Sequence, residues 1–392
     1  MLQEKENQIW QKVFTEYYLI IYSIWLVITF LNTTMFRINY PSLLQIVLIE
    51  ITVIFVGIKV IFIDKFDRTY ILLSILLIVS FGGCFIYTGY VFLLTLLFLI
   101  IGAKNIPFKK LIQIYCWITG IFIIITVIAS QIGLIENLIY ERNGQRISFG
   151  FNYPTDFTAH IFFFVMAYSY LRKDKLTYLE LLCILGLSVF SYIFCDARTN
   201  ALCLLLSFAI FLYLKIRNNI SVKKGYYYKI NANFRKFLVY SLPICAFFII
   251  GMTVLYYYYP DNNIVSSFDN LFSHRQKLGS IGLEKYGVKL FGSSFQMFGF
   301  GGKITPPKEY FFLDSSYVLI LIRYGVLVLI STIIIFVYSS YQTERQNNIY
   351  LLWILALIAL QCMIEHHLLE IAYNPFILIC FSLKNNYAYT NA

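Results

Sequence analysis

The stretch FCDARTNALCLLL, Phe194 to Leu206, places an acid and an arginine two residues apart, then an asparagine, between two apolar runs. The flanking runs, 177–194 and 200–216, are each near the length that crosses a bilayer. A charged turn between two such runs reads as a membrane hairpin, and the fold class depends on whether the pattern recurs.

It does. Runs of the same kind fall at 16–32, 43–63, 69–82, 89–103, 110–133, 154–171, 177–194, 200–216, 237–258, 316–338, 349–364 and 367–383. Of the 392 residues, 59% are hydrophobic and only 13% charged, whereas a soluble domain carries about a quarter charged residues. The expectation is an all-α polytopic membrane protein of about 12 transmembrane helices. It forms a single membrane domain over 1–392, with no internal repeat and no low-complexity linker. FGGCFIYTGY, between the short third and fourth runs, reads as a tight outer turn or as a break in one tilted helix. The first run follows a mixed-charge start (Lys5, Glu6, Lys12, Glu16) with no small-residue cleavage site, so it is read as a retained span.

The formal net charge is +11. In a chain of this class basic residues report topology before they report nucleic acid, and no nucleic-acid partner is expected. Lys65 and Arg68, Lys104, Lys109 and Lys110, then Arg172, Lys173 and Lys175 fall in alternate loops, and Lys215–Lys236 holds seven more Lys or Arg. The opposite short loops hold only Arg37, Arg142, Arg146 and Arg198. The positive-inside rule then predicts an even number of spans in a plasma membrane, with both termini cytoplasmic. The eight cysteines are scattered in or at the ends of apolar runs, which argues against a disulfide framework or a cysteine metal site.

Two outer segments are longer than turns: 135–153, and the large loop 260–315 between spans nine and ten. They hold most of the candidate chemistry. Arg146 opens RISFGFNYPTDFTAH, where Asp156 and His160 stand four apart on one helical face. Plainly read, Asp156 caps a helix and His160 bonds a neighbour; functionally read, His160 serves a substrate. For Asp196 and Arg198 the choice lies between a helix-capping pair and an arginine, oriented by the acid, that faces a polar cavity. An arginine held by a carboxylate suits phosphate or pyrophosphate, whose oxygens match its planar fork. The large loop carries His274 and Arg275 in SHRQKLG, then YGVKLFGSSFQMFGFGG, then Asp314 and Arg323 in LDSSYVLILIRYG. Aromatic faces stack on sugar rings, glycines allow close approach, and cations hold phosphates. Arg323, about two turns into a span, is costly without a partner or water. Glu50 with Lys59, and Glu180, lie in spans where a proton relay or local pairing are both open. Glu365, His366, His367 and Glu370 read as a solvated last outer turn.

Arg146 with GFNYP, the DARTN turn, and HRQKLG followed by LFGSSF and FLDSSYVLILIRYG resemble Wzy-type polysaccharide polymerases within the O-antigen ligase and polymerase superfamily. The resemblance spans nearly the whole topology through loose motifs, without clean Arg-to-Gly spacings in both loops. It implies glycosyl transfer on the outer membrane face between oligosaccharide repeat units carried on undecaprenyl pyrophosphate. It implies no nucleotide-sugar, no cofactor and no obligatory metal, and it brings the bilayer, a chain-length regulator and a flippase as partners. On this reading Arg146, Arg198, Arg275 and Arg323 hold the pyrophosphates, with Asp196 orienting Arg198. His274 or Asp314 is the general base, with His160 in reserve. The rival readings are a ligase passing finished glycan to another acceptor, a flippase or exporter of the same lipid-linked sugars, and an envelope scaffold.

Overall fold

The computed structural model describes residues 2–382 apart from Asn39, Arg142, Asn143, 225–230 and Pro306, so the readings placed on Arg142, on Lys229 and on the C-terminus lie outside the described residues. Among the described residues the chain is all-α but for one small hairpin. Its helices are α1 (Leu2–Leu31), α2 (Ser42–Phe62), α3 (Arg68–Leu77), α4 (Gly83–Thr88), α5 (Val91–Gly102), α6 (Phe108–Gln131), α7 (Pro154–Arg172), α8 (Tyr178–Ile193) and α9 (Arg198–Lys224). They continue with α10 (Ala232–Val239), α11 (Ser241–Tyr258), α12 (Asn263–Leu271), α13 (Arg275–Tyr286), α14 (Ser316–Leu319), α15 (Val326–Arg345), α16 (Ile349–Gln361) and α17 (Ile379–Ser382). Strands β1 (Ile139–Glu141) and β2 (Gln145–Ile147) pair antiparallel between α6 and α7.

The long runs become helices because they lack breakers, and in lipid every backbone polar group has to be bonded within the chain. Prolines mark starts, where a missing N–H costs nothing: Pro41 and Pro107 sit just before α2 and α6, and Pro154 is the first residue of α7. Among the described residues, seven helical stretches are long and apolar enough to cross a membrane, and α5, α8 and α16 are shorter apolar helices. Outward faces are apolar too. On α2, Ile54 and Phe62 are 62% and 76% exposed, as a lipid-facing helix requires.

The structure overturns the sequence reading at one run and decides between its alternatives at two other places. FGGCFIYTGY is helical through Thr88: α3 passes through a π-helical turn, Ile78–Gly82, directly into α4. Only its last two residues turn, at Gly89, whose φ is +76°. The run 367–383 is not a helix. Two 3-10 turns, His367–Leu369 and Pro375–Leu378, lead into the four-residue α17. Residues 371–382 are all buried, the condition under which irregular backbone is tolerated at membrane depth. Phe376 packs on Phe108 and Tyr170, and Phe381 on Tyr70, so this segment traverses the bundle to the end carrying the lysine-rich loops.

The large loop packs against the bundle. Its α13 packs on α11 so closely that a Cβ on Gly279 would lie 2.6 Å from Thr253 Cγ2. Further on, Lys289 and Leu290 carbonyls accept from the Val326 and Leu327 amides at the start of α15. Finally, no relay forms in α2 or α8. Glu50 is exposed, while Lys59 is buried and paired to Asp64 at 2.7 Å. Glu180 closes a capping box with Thr177 and pairs with Arg172 at 2.9 Å.

Candidate functional site

At the end of the bundle opposite the lysine-rich loops, three separate segments converge. The β1–β2 hairpin brings Arg146, and its edge is joined to the turn before α9 by the Ile147 amide donating to the Phe194 carbonyl at 2.9 Å. Arg146 is 4% exposed. Its Nε donates to the Cys195 carbonyl at 3.1 Å and its Nη1 to the Tyr153 hydroxyl at 2.9 Å. Both acceptors are neutral, so this cation keeps its charge available to a ligand.

The DARTN turn divides its work. Asn200 is buried structure: its Nδ2 donates to Thr158 Oγ1 at 2.9 Å and its Oδ1 accepts from Gln361 Nε2 at 3.2 Å. Asp196, with φ +43°, accepts from Arg198 Nε at 3.0 Å, and the Arg198 side chain stays half exposed.

Arg275 begins α13. Its Nε lies 3.5 Å from Asp314 Oδ2 and its Nη2 3.7 Å from Glu365 Oε1. One guanidinium therefore faces two carboxylates. Burial pushes the Asp314 carboxyl up, with Arg275 opposing. Burial takes Glu365 up to about 7, again against Arg275, with Asp314 adding to the rise.

A cavity of about 430 Å³ joins these groups: Arg146, Arg198 and Arg275 with Asp196, Asp314 and Glu365. Glu141 lines it too, and four aromatic rings join the wall, where Phe300 stacks on Tyr153 with centroids 5.4 Å apart and meets Tyr140 edge-on at 5.3 Å. A second cavity of about 190 Å³ shares Tyr153, Phe300, Tyr310 and Asp314 with it, and adds Asp156 and His366. Gly301 and Gly302, both with positive φ, form part of that second wall. A third cavity, about 280 Å³, lies at the opposite end beside Lys65, Asp67 and Lys104. There Lys104 pairs with Asp67 at 3.1 Å, and no arginine lines it.

Five of the residues singled out from the sequence thus share one cavity: Arg146, Asp196, Arg198, Arg275 and Asp314. Three do not. His274 sits in left-handed backbone at the start of α13, and its Nδ1 lies 3.1 Å from Asp269. Its side chain is 62% exposed and does not line the cavity. His160 is fully buried, with Nε2 2.9 Å from the Thr33 hydroxyl and its ring stacked on Tyr373 at 4.0 Å. Arg323 lies in a π-helical turn, Ile320–Tyr324, between α14 and α15. Its guanidinium is 4.5 Å from the Tyr90 ring and 5.7 Å from Phe295. These rings supply an electron-rich face for the cation, so Arg323 finds its partner outside the cavity.

The structure adds Glu365, which the sequence reading left in a solvated turn with His366, His367 and Glu370. Glu365 is 2% and His367 0% exposed. The available signal was four polar groups within six residues, between apolar runs that leave no room for an exposed loop. Comparison with protein-family models, curated proteins and solved structures found no match to this chain.

Proposed function

We propose that the chain is a polysaccharide polymerase that joins oligosaccharide repeat units carried on undecaprenyl pyrophosphate, with the cavity facing the outer side of the plasma membrane. The observation that carries the reading is the convergence of three arginines, four acids and four aromatic rings on one cavity at one end of an apolar bundle.

The chemistry asks for three things. The bond between the donor's anomeric carbon and its pyrophosphate oxygen breaks, and the leaving group's charge has to be met. Arg146 is the group best placed to do so, since its hydrogen bonds go to neutral oxygens. Arg198 lies on the same wall with an exposed fork. Fixed cations in a water-poor site stabilise developing charge without reorganising. The acceptor hydroxyl forms the new bond to the anomeric carbon and gives up its proton. Asp314 lines both cavities and is held by Arg275; burial raises its basicity, which suits it to take that proton. Sugar rings find faces to stack on in Tyr153 and Phe300.

The test is the full chain in nanodiscs supplied with a single purified lipid-linked repeat unit. The reading predicts a ladder of products, each one repeat longer than the last. A chain that releases lipid pyrophosphate only when a different acceptor is added would be a ligase. One that moves the substrate across a vesicle membrane without extending it would be a flippase.

A further inference from the structure

In the segment EHHLLE, Glu365–Glu370, Glu365 reaches the cavity wall, while the two histidines and Glu370 take no part in the proposed transfer. Glu370 reaches both imidazoles at once: its Oε1 lies 3.5 Å from His366 Nε2 and its Oε2 3.3 Å from His367 Nδ1. Each ring thus has one nitrogen assigned to a carboxylate. The other two nitrogens, His366 Nδ1 and His367 Nε2, are buried and have no hydrogen-bond partner. A buried polar atom left unbonded is uncommon and calls for an explanation, and here two such atoms lie together. Glu365 Oε2 is 4.0 Å from His367 Nε2. One ligand atom from each of Glu365, His366 and His367 lies within 4.8 Å of the others.

We infer that Glu365, His366 and His367 bind a divalent transition-metal ion of the zinc class, with Glu370 as the outer carboxylate that fixes both imidazoles. Two imidazoles and a carboxylate are a donor set that suits zinc and its first-row neighbours better than calcium or magnesium. A carboxylate holding the remote nitrogen of each ligating ring is the support such ligands ordinarily have. Three protein ligands leave a fourth position open. Of the three ligands, Glu365 lines the larger cavity and His366 the smaller.

The surroundings hold the ligands in place. The Ser316 hydroxyl donates to the Glu365 carbonyl at 2.6 Å and accepts from the Leu368 amide at 3.1 Å, fixing the backbone on both sides of the pair. His367 stacks on Tyr373 at 3.8 Å, and Phe312 meets His366 edge-on at 5.1 Å. Arg275 approaches Glu365 through the other oxygen, Oε1, so Oε2 remains free for the ion. With bonds of about 2.1 Å the ligand atoms of a tetrahedral ion lie about 3.4 Å apart. Binding would therefore close the set by roughly an ångström, which rotation of the side chains can provide.

The test reads binding, so its failure leaves the polymerase reading intact. Full-length protein with an affinity tag free of histidine is stripped with a chelator, placed in nanodiscs and titrated with zinc against a fluorescent zinc indicator. One tight equivalent per chain is expected. His367→Ala and Glu365→Gln should each lose at least a hundredfold in affinity, and Glu370→Gln roughly 10- to 100-fold. His274→Ala, in the exposed loop, should bind as the parent does, and zinc should raise the unfolding temperature of the parent but not of Glu365→Gln. Absence of stoichiometric binding by the parent, or binding that survives in both His367→Ala and Glu365→Gln, overturns the assignment.

Discussion

Arg146 and Arg275 carry the same group in different circumstances, and the difference fixes what each substitution should do. Arg275 stands between Asp314 and Glu365, so Arg275→Ala removes a cation from the cavity wall and leaves those two acids without their partner. Arg146 donates to the Cys195 carbonyl and the Tyr153 hydroxyl, so Arg146→Ala removes a cation from the cavity without stripping an acid of its paired arginine. The residue that opened the sequence reading gives the finer test. Arg198 keeps its charge in Arg198→Lys but loses the planar fork that grips two phosphate oxygens together. We expect polymer output from that variant to fall strongly at unchanged protein level, read from the glycan profile of cells carrying it. Normal output from Arg198→Ala at normal protein level would return the Asp196–Arg198 pair to helix capping.

At the scale of elements, the joints between the large loop and the bundle are where substitution should tell most. Gly292 has φ +80°, and a Cβ there would lie 2.2 Å from the Arg323 carbonyl oxygen. Gly325, with φ +97°, faces it, and its own Cβ would meet the Gly292 amide nitrogen at 2.3 Å. Neither backbone can yield easily, so Gly292→Ala should sharply lower the yield of folded protein in detergent. Gly57, in α2 with open space around it, should accept alanine without loss. The irregular crossing segment makes a second prediction. Asn374 donates to the Leu368 carbonyl at 2.8 Å and accepts from the Phe376 amide at 3.1 Å, fully buried. Asn374→Ala should cost about 1–3 kcal/mol, seen as a lower thermal midpoint, because it orphans buried backbone groups. The sequence concealed this segment for a physical reason. An apolar run of membrane length looks the same whether its backbone is helical or is satisfied by side chains such as Asn374. The long spans were readable because lipid permits them little but helix.

For the whole molecule, the chain reads as a bundle with unlike ends: lysine-rich loops with a buried Lys59–Asp64 pair at one, the arginine cavity at the other. If the positive-inside rule holds, Lys236→Cys and Lys303→Cys, both at exposed positions, should be labelled by a membrane-impermeant thiol reagent from opposite sides of sealed cells. Labelling from one side would break the topology. Much of the cavity was legible because Arg146, Asp196, Arg198, Arg275 and Asp314 are charges that an apolar chain cannot place casually. Its depth was not, because Glu365 and the histidines beside it look solvated until the last segment is seen to turn inward.

Whether transfer occurs in the cavity is decided by one comparison of rates. Polymerisation of purified lipid-linked repeat units by the chain in nanodiscs would be measured for Arg146→Ala and Arg275→Ala beside Lys303→Ala and Lys308→Ala, whose side chains are exposed. Loss of a fixed cation that meets developing charge should cost a few kcal/mol, or roughly a hundredfold or more in rate. Both lysine variants should stay within about twofold of the parent. Four variants of similar rate, each folded to the same extent, would contradict the account.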